Sequence, residues 1–457
     1  MDLFAPVSRR LIAPLWAAWE KSRYLKDYRE LVRTQFDPLE IIQATQLRKI
    51  EQLVTHAHET SAFWHKRFSD IGLSPGDICS FEDYRNIPLL TKADLRSEGT
   101  RLRSKNYHQQ SVRSKKTSGS TGVSVEVFVD ETAVQYQRAS TLRADEWSGW
   151  RLGERSACVW GNPEYVKYGW RGRLRNALLH RQAYLDTVKM DASSMKNFLD
   201  LLRRRSPSLL FGHAHSLYLF AMFCQTLGGA GFRPKGIIST AMVLHDFERQ
   251  VIEDVFGCRV TNRYGCEEVS LIACQCEQHA GLHVNAECIF LEILHPDGSP
   301  CLPGETGAVV VTDLVNRAMP MIRYQVGDMA AWSTRPCECG RGLPVIERIE
   351  GRIADYVVTP GGEFISGISL TENFAVLVKG IAQLQIIQES LDRFTFRIVR
   401  GDDYDHTSEQ MIRKMVVERF GSGVHFECQF VDRIDPEPSG KYRFCISKVK
   451  KPFDSPK

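Results

Sequence analysis

The 457-residue chain has no apolar run long enough to span a bilayer. It has no internal repeat and no low-complexity segment. Excess charge is small: 25% of residues are charged and the formal net charge is +4. That balance argues against nucleic acid as a partner, and short basic clumps such as Arg203, Arg204 and Arg205 read as solvated helix ends. Cysteine is modest at thirteen residues. The opening MDLFAPVSRRLIAPLWAAWEKSRY has a brief apolar stretch flanked by bases but no cleavage-like ending, so no secretory leader is expected. The thiols are then expected to be reduced or metal-bound rather than a disulfide framework, in a cytoplasmic protein. The opening stretch reads first as a helix docked on the core, and second as an interfacial helix with weak membrane-surface contact. A further absence concerns the run TSGSTG at 117–122. It lacks the Gly-Lys-Ser/Thr ending of a P-loop, because Val123 follows Gly122, and it lacks the G-x-G-x-x-G spacing of a dinucleotide fold. Taken alone, it is equally a surface turn or a phosphate-holding loop.

What is present is a 43% hydrophobic chain, enough for a sizeable core and two to four domains by length. In PLEIIQATQLRKIEQLVTHAHETSAFWHKRF the apolar residues recur every three to four positions, as a helix buried on one face requires. VSVEVFV alternates like a half-buried strand. From about residue 150, strands and helices alternate: RSACVWG, SMKNFLDLLRRRSP, SLLFGH, HSLYLFAMFCQTLGG, GIIST, DFERQVIEDVFG and CRVTNRYG. Such alternation predicts an α/β sheet layered with helices. Turn-punctuated strands follow from about residue 284. Beyond about residue 352 a unit of roughly a hundred residues is predicted, with strands LQIIQES, RFTFRIVRG and VHFECQFVDRI and the helix SEQMIRKMVVERFG.

Four further stretches stand in a fixed order after TSGSTG: NRYGCEEVS at 262–270, MIRYQVGDMA at 321–330, RIEGRIADYVVTPGGEFIS at 348–366 and PEPSGKYRF at 436–444. Singly, each is an ordinary turn, a solvated carboxylate pair or a loop lysine. Together, over nearly the whole chain, they resemble the adenylate-forming (acyl-activating) ligases. The resemblance is to the phenylacetate–CoA ligase branch, and within it to capsular-polysaccharide (CapK-type) relatives.

The resemblance implies an adenylate-forming α/β fold, with a large layered N-terminal domain over residues 1–351. A small, mobile α+β C-terminal domain over 352–457 would carry the adenylation lysine. It implies ATP-dependent activation of a small carboxylic acid as an acyl-adenylate, with pyrophosphate released. The acyl group would then pass to CoA or, in the alternative, to an amine acceptor in cell-envelope polysaccharide biosynthesis. Thr117, Ser118, Gly119, Ser120, Thr121 and Gly122 would hold the β- and γ-phosphates. The usual Pro-Lys after this loop is absent. Ser239, Thr240 and Ala241 match the preceding nucleotide strip, with Met242 where many relatives have Glu. Tyr264 and Gly265 would lie beside adenine, and Glu268 would bind magnesium (Mg2+). Asp328 would accept the ribose hydroxyls, Arg352 would approach the nucleotide beside the hinge, and Lys441 would bridge carboxylate and α-phosphate. His213 and Trp160 are candidates for the acid pocket, or equally satisfied core groups.

CQCEQHAG and RPCECG place Cys276, His279, Cys337 and Cys339 as a structural zinc (Zn2+) set, with Cys274 as a spare; the resembling relatives often show a similar pattern. The spacing is wrong for a nucleic-acid finger. The alternative reading is ordinary buried thiols. Oligomeric state leaves no mark in the sequence.

Overall fold

The structure, a computed structural model, describes residues 2–457 apart from 109–111, 117–124, 161–168, 188–189, 191, 353–355, 359, 361–363, 367–373, 375–376, 422, 435–444 and 450–457. The chain divides into two compact units. The first comprises Met1–Glu292, Val310–Val326 and Trp332–Arg348; the second comprises Ile293–Val309, Gly327–Ala331 and Ile349–Lys457. Among the described residues no helix is long and apolar enough to cross a membrane.

The first unit opens with helices. The longest of the opening series, Leu39–Thr60, buries Ile42, Gln46, Ile50, Leu53, Val54 and Ala57, the three-to-four spacing seen in the sequence. Ser61 ends it and caps the next helix, Ala62–Asp70, by accepting the Trp64 N–H. The hairpin β1 (Val112–Lys116) and β2 (Glu126–Asp130) pairs Lys116 with Glu126, so the chain enters and leaves 117–124 side by side. TSGSTG itself lies outside the described residues. Asp130 then caps the helix Glu131–Trp147 through the Ala133 N–H.

Five parallel strands follow: β3 (Ser156–Trp160), β4 (Gln182–Asp186), β5 (Leu209–His213), β6 (Gly236–Thr240) and β7 (Val260–Cys266). The chain then turns back, and β8 (Ser270–Gln275) and β9 (Leu282–Val284) pair antiparallel. The strand Val345–Arg352 joins β9 through Val345–His283 and Ile346–Leu282. Helices Ala192–Arg205, Ala214–Thr226 and Asp246–Phe256 cover the parallel strands, and Phe198, Leu202, Phe220, Ile252 and Phe256 form the core there. The strand–helix alternation legible in the sequence is this arrangement. Alternation did not mark β4. It is the sheet's edge strand, buried at only every second position, so it keeps polar residues such as Gln182 and Asp186.

The second unit holds a four-stranded sheet, ordered His425–Phe430, Arg393–Arg400, Ile381–Ser390, Cys445–Ser447. The central pair is antiparallel and the outer two join in parallel. The helix His406–Phe420 packs Ile412, Met415 and Phe420 against Phe394 and Phe396.

Candidate active site and metal centre

The carboxyl ends of β3, β5, β6 and β7 form one row. In open parallel sheets that edge is where ligands bind. Val159 pairs with Gly212, His213 with Thr240, and Thr240 with Arg263. Gly212 is there because β5 approaches β3 closely: a Cβ at this position would lie 2.6 Å from the Val159 carbonyl oxygen. The close fit brings Trp160 and His213 face to face, with ring centroids 3.9 Å apart at 30°. Phe211 stacks on the same indole at 5.3 Å. The guanidinium of Arg263 lies 4.6 Å from the Phe211 ring and is held by Asp145. The candidate acid-pocket pair is therefore one stacked aromatic cluster.

The next strand ends under strain. Ser239 and Thr240 are buried. Ala241 then takes φ of 66°, a left-handed conformation that costs a residue with a Cβ about 1 kcal/mol or more. The Ser239 hydroxyl is fully buried and has no hydrogen-bond partner among the described residues. A buried hydroxyl of this kind is costly unless something else satisfies it. On β7, pairing with β8 shifts register between Tyr264 and Gly265, and a Cβ at Gly265 would lie 2.5 Å from the Ser270 carbonyl oxygen. The turn that follows carries Glu268, which is buried, with the Tyr324 hydroxyl donating to its Oε1 at 3.0 Å. Tyr324 is itself fully buried. It orients the carboxylate through Oε1. Its place in MIRYQVGDMA, four residues before Asp328, is the only sequence signal that could have singled it out.

Asp328 is buried within the strand Tyr324–Trp332 and belongs to the second unit, as does Arg352 at the end of Val345–Arg352. Thr117–Gly122, including Thr121, and Lys441 lie outside the described residues.

A second constellation lies on the antiparallel side of the sheet. Cys276, His283, Cys337 and Cys339 bring one ligand atom each within 4.8 Å of one another. Cys276 Sγ is 3.6 Å from Cys337 Sγ, and Cys339 Sγ is 3.3 Å from His283 Nε2. The histidine differs from the one the sequence pointed to. His279 sits in the tight turn after β8 with φ of 56°, its N–H bonded to the Cys276 carbonyl at 3.0 Å, and its ring is turned to the Val260 backbone. His283 instead projects from β9, the strand that pairs with Val345–Arg352 just beyond the two later cysteines. A histidine inside the short strand LHV reads as a core residue, which is why spacing alone chose His279. His283 Nδ1 lies 3.4 Å from the Leu343 carbonyl, and an Nδ1–H bond to it turns the Nε2 lone pair toward the sulfurs.

Burial pushes His283 down to about 4, against the Leu343 bond, so the ring is neutral and ready to ligate. Burial pushes the Cys276 thiol up to about 12 despite the Gln278 N–H. At Cys339 burial also works to raise the thiol, but hydrogen bonds from the Arg341 backbone and side chain bring it below its usual value. Three sulfurs and one imidazole fit tetrahedral zinc: Zn–S bonds of about 2.3 Å put sulfurs roughly 3.7 Å apart.

Residues 357–448 match the CapK C-terminal domain. Protein CapK of Staphylococcus aureus is 23% identical over 447 residues, 94% of each chain. The phenylacetate–coenzyme A ligase of Escherichia coli K12 is 25% identical over 349 residues, 72% of this chain and 77% of that one. Among solved structures, 2-hydroxyisobutyryl-CoA ligase in its postadenylation state, in complex with an acyl-AMP, superposes with a TM-score of 0.72 at 20% identity, covering 91% of both chains. The second unit thus carries the CapK-type sequence, and the chain as a whole carries the fold of an acyl-activating enzyme. The chain is similar along its length to the CapK-type proteins and the phenylacetate–CoA ligases, and its fold is that of the adenylate-forming ligases.

Proposed function

We propose that the protein is an AMP-forming carboxylate ligase. A carboxylate oxygen of a small acid attacks the α-phosphorus of ATP, the bond to the β-phosphate oxygen breaks, and pyrophosphate leaves. The thiolate of CoA then attacks the acyl carbon and AMP departs. The observation that carries this reading is the row at the carboxyl edge: the stacked Trp160–His213 pair, the strained Ser239–Ala241 turn with its unpartnered hydroxyl, and Glu268 fixed by Tyr324. In this reading the row would give a flat face for the acid, a strip for the nucleotide and an oriented carboxylate.

Glu268 would hold magnesium, which supplies positive charge against the triphosphate oxygens. Thr117, Ser118, Gly119, Ser120, Thr121 and Gly122 would take the β- and γ-phosphates. Tyr264 and Gly265 would flank adenine, Asp328 the ribose hydroxyls, and Arg352 the nucleotide. Lys441 would neutralise charge between the carboxylate and the α-phosphate. ATP and CoA as substrates argue for the cytoplasm. The Cys276, His283, Cys337 and Cys339 set would hold a structural zinc that ties β8 and β9 to the segment 337–339.

The test is ATP–pyrophosphate exchange over a panel of aliphatic and aromatic acids, followed by CoA and amine acceptors with mass analysis of the product. Exchange with at least one acid is expected, and a thioester product in the second stage. An amide product would favour the amine acceptor. Absence of exchange across the panel in a protein that binds ATP would sink the ligase reading. Lys441→Ala should abolish exchange yet leave transfer from supplied acyl-adenylate largely intact. Metal analysis should find about one zinc per chain, lost in Cys276→Ser and Cys337→Ser.

A further inference from the structure

The chain begins with a continuous helical segment: α-helix Phe4–Val7, a π turn Ser8–Ile12, and α-helix Ala13–Trp19. One side is docked. Ala13 and Trp16 pack with Leu179, and Ser8 donates to the Leu178 carbonyl. The other side is apolar and open: Leu3, Val7, Leu11, Leu15 and Trp19 are 83%, 44%, 57%, 63% and 56% exposed. Their four-residue spacing would drift by about 40° per step in a pure α-helix, and the wider π turn takes up part of that drift.

The stripe continues onto the neighbouring helix Gly169–Arg175, where Trp170 is 67% exposed. The Arg171 guanidinium carbon lies 5.6 Å from the Trp19 ring and 5.4 Å from the Trp170 ring, bridging the two indoles. Arg10 and Arg173 are also exposed here, and neither they nor Arg171 forms an ion pair with a described residue. The acidic groups nearby are already engaged. Asp2 is 2.6 Å from Arg181, and Glu20 is 3.2 Å from Arg175 and 2.8 Å from Trp16 Nε1. The face is therefore apolar at its centre, aromatic at one end and cationic throughout.

We propose that this face docks onto the surface of an anionic bilayer, with the helix lying in the interface plane. Leucines would enter the acyl boundary, the two tryptophans would sit at headgroup depth, and the arginines would reach lipid phosphates. Charge complementarity selects this occupant. A second copy of the chain would set one arginine-bearing face against another, and like charges across an interface are unfavourable. The inference is independent of the catalytic reading.

The experiment is co-sedimentation of the full chain with vesicles of phosphatidylglycerol and phosphatidylcholine, against phosphatidylcholine alone, at low and high salt. Binding is expected to the anionic vesicles and to fall with salt. Leu11→Asp with Leu15→Asp should weaken it by at least about tenfold, with an unchanged melting curve because both positions face solvent. Arg10→Glu with Arg171→Glu should weaken anionic binding by a similar factor while leaving the apolar stripe in place. Failure of the parent to sediment with anionic vesicles would overturn the proposal, as would equal, salt-independent binding to phosphatidylcholine or parental binding by both variants. So would ultracentrifugation showing a lipid-free dimer that Leu11→Asp with Leu15→Asp dissociates, since the face would then be a protein interface.

Discussion

Strands β3, β5 and β6 run parallel and end at Trp160, His213 and Thr240. There the Ser239 hydroxyl lacks a partner among the described residues and Ala241 is held left-handed. β8 and β9 continue the same sheet antiparallel, and behind them a buried ion pair and its neighbours bond one another, with Arg143 Nε left over. Arg143 reaches Glu287 at 2.6 and 3.0 Å and Asn285 Oδ1 at 3.0 Å, while the Asn285 amide donates to Ser140 and to the Leu271 carbonyl. All of these groups are buried. One half of the sheet leaves a buried hydroxyl unpartnered where a ligand is expected, and the other turns most of its buried polar groups on one another. An unpartnered hydroxyl and a left-handed alanine at the carboxyl ends of parallel strands are what a scaffold with a site should show.

The contrast can be broken most sharply at the Arg143–Glu287 pair. Arg143→Met leaves Glu287 buried without its cation and should destabilise the fold by about 3–5 kcal/mol, read by urea unfolding. Adding Glu287→Leu should recover much of that loss, because the uncompensated charge is gone. A double variant as unstable as the single one would show that the ion pair is not the source. On the ligand side the effect should fall on activity instead. Glu268→Gln is expected to lower ATP–pyrophosphate exchange by about a hundred- to a thousandfold, as loss of a charged group aimed at the reacting phosphates does. Its melting temperature should stay near that of the parent; a large drop would move Glu268 into the structural class.

A pH experiment sharpens the comparison between two buried acids. Burial works to raise Glu287, but Arg143 brings it below its usual range. Asp313 is also buried, and burial pushes it up to about 6, winning over the N–H groups of Val315 and Asn316 and the Lys115 charge, which act to lower it. The folded state therefore holds the Asp313 proton more tightly than the unfolded chain does. Its contribution is fully present below about pH 4 and is lost as pH rises through about 6, amounting to about 2–3 kcal/mol. Asp313→Asn should flatten this part of the stability profile relative to the parent between pH 4.5 and 7.5. Parallel profiles for the two proteins would count against the shift. The smallest effect is expected at Tyr324→Phe. Loss of one hydroxyl bond to Glu268 should cost about 1 kcal/mol, or severalfold in exchange, and more of it should return at saturating magnesium than for Glu268→Gln.

Much of this organisation was legible before the coordinates. GIIST, SLLFGH and RSACVWG read as buried parallel strands because each is a short apolar run between helices, and they became β6, β5 and β3. Motif order singles out residues such as Ser239, Tyr264 and Glu268, and the structure puts them at or just beyond the carboxyl ends of β6 and β7. Two groups escaped for the same reason. His283 and Tyr324 act through strand pairing that joins positions far apart in the chain, and locally each looks like a packed core residue. β4 escaped because it is a short edge strand that keeps polar residues such as Gln182 and Asp186.

The π turn at Ser8–Ile12 also has a consequence for related sequences. It behaves as a one-residue insertion spliced into an otherwise regular helix. Removing one residue would close the α ladder with the two flanks still in phase, whereas if the ladder closed over the same residues, everything before it would rotate by about 100° relative to Ala13–Trp19. Leu3 and Val7 would swing away from the line of Leu11, Leu15 and Trp19 with no change in composition. The hydrogen-bond pattern between Val7 and Ala13, more than the identity of the residues there, sets which way the first turn faces.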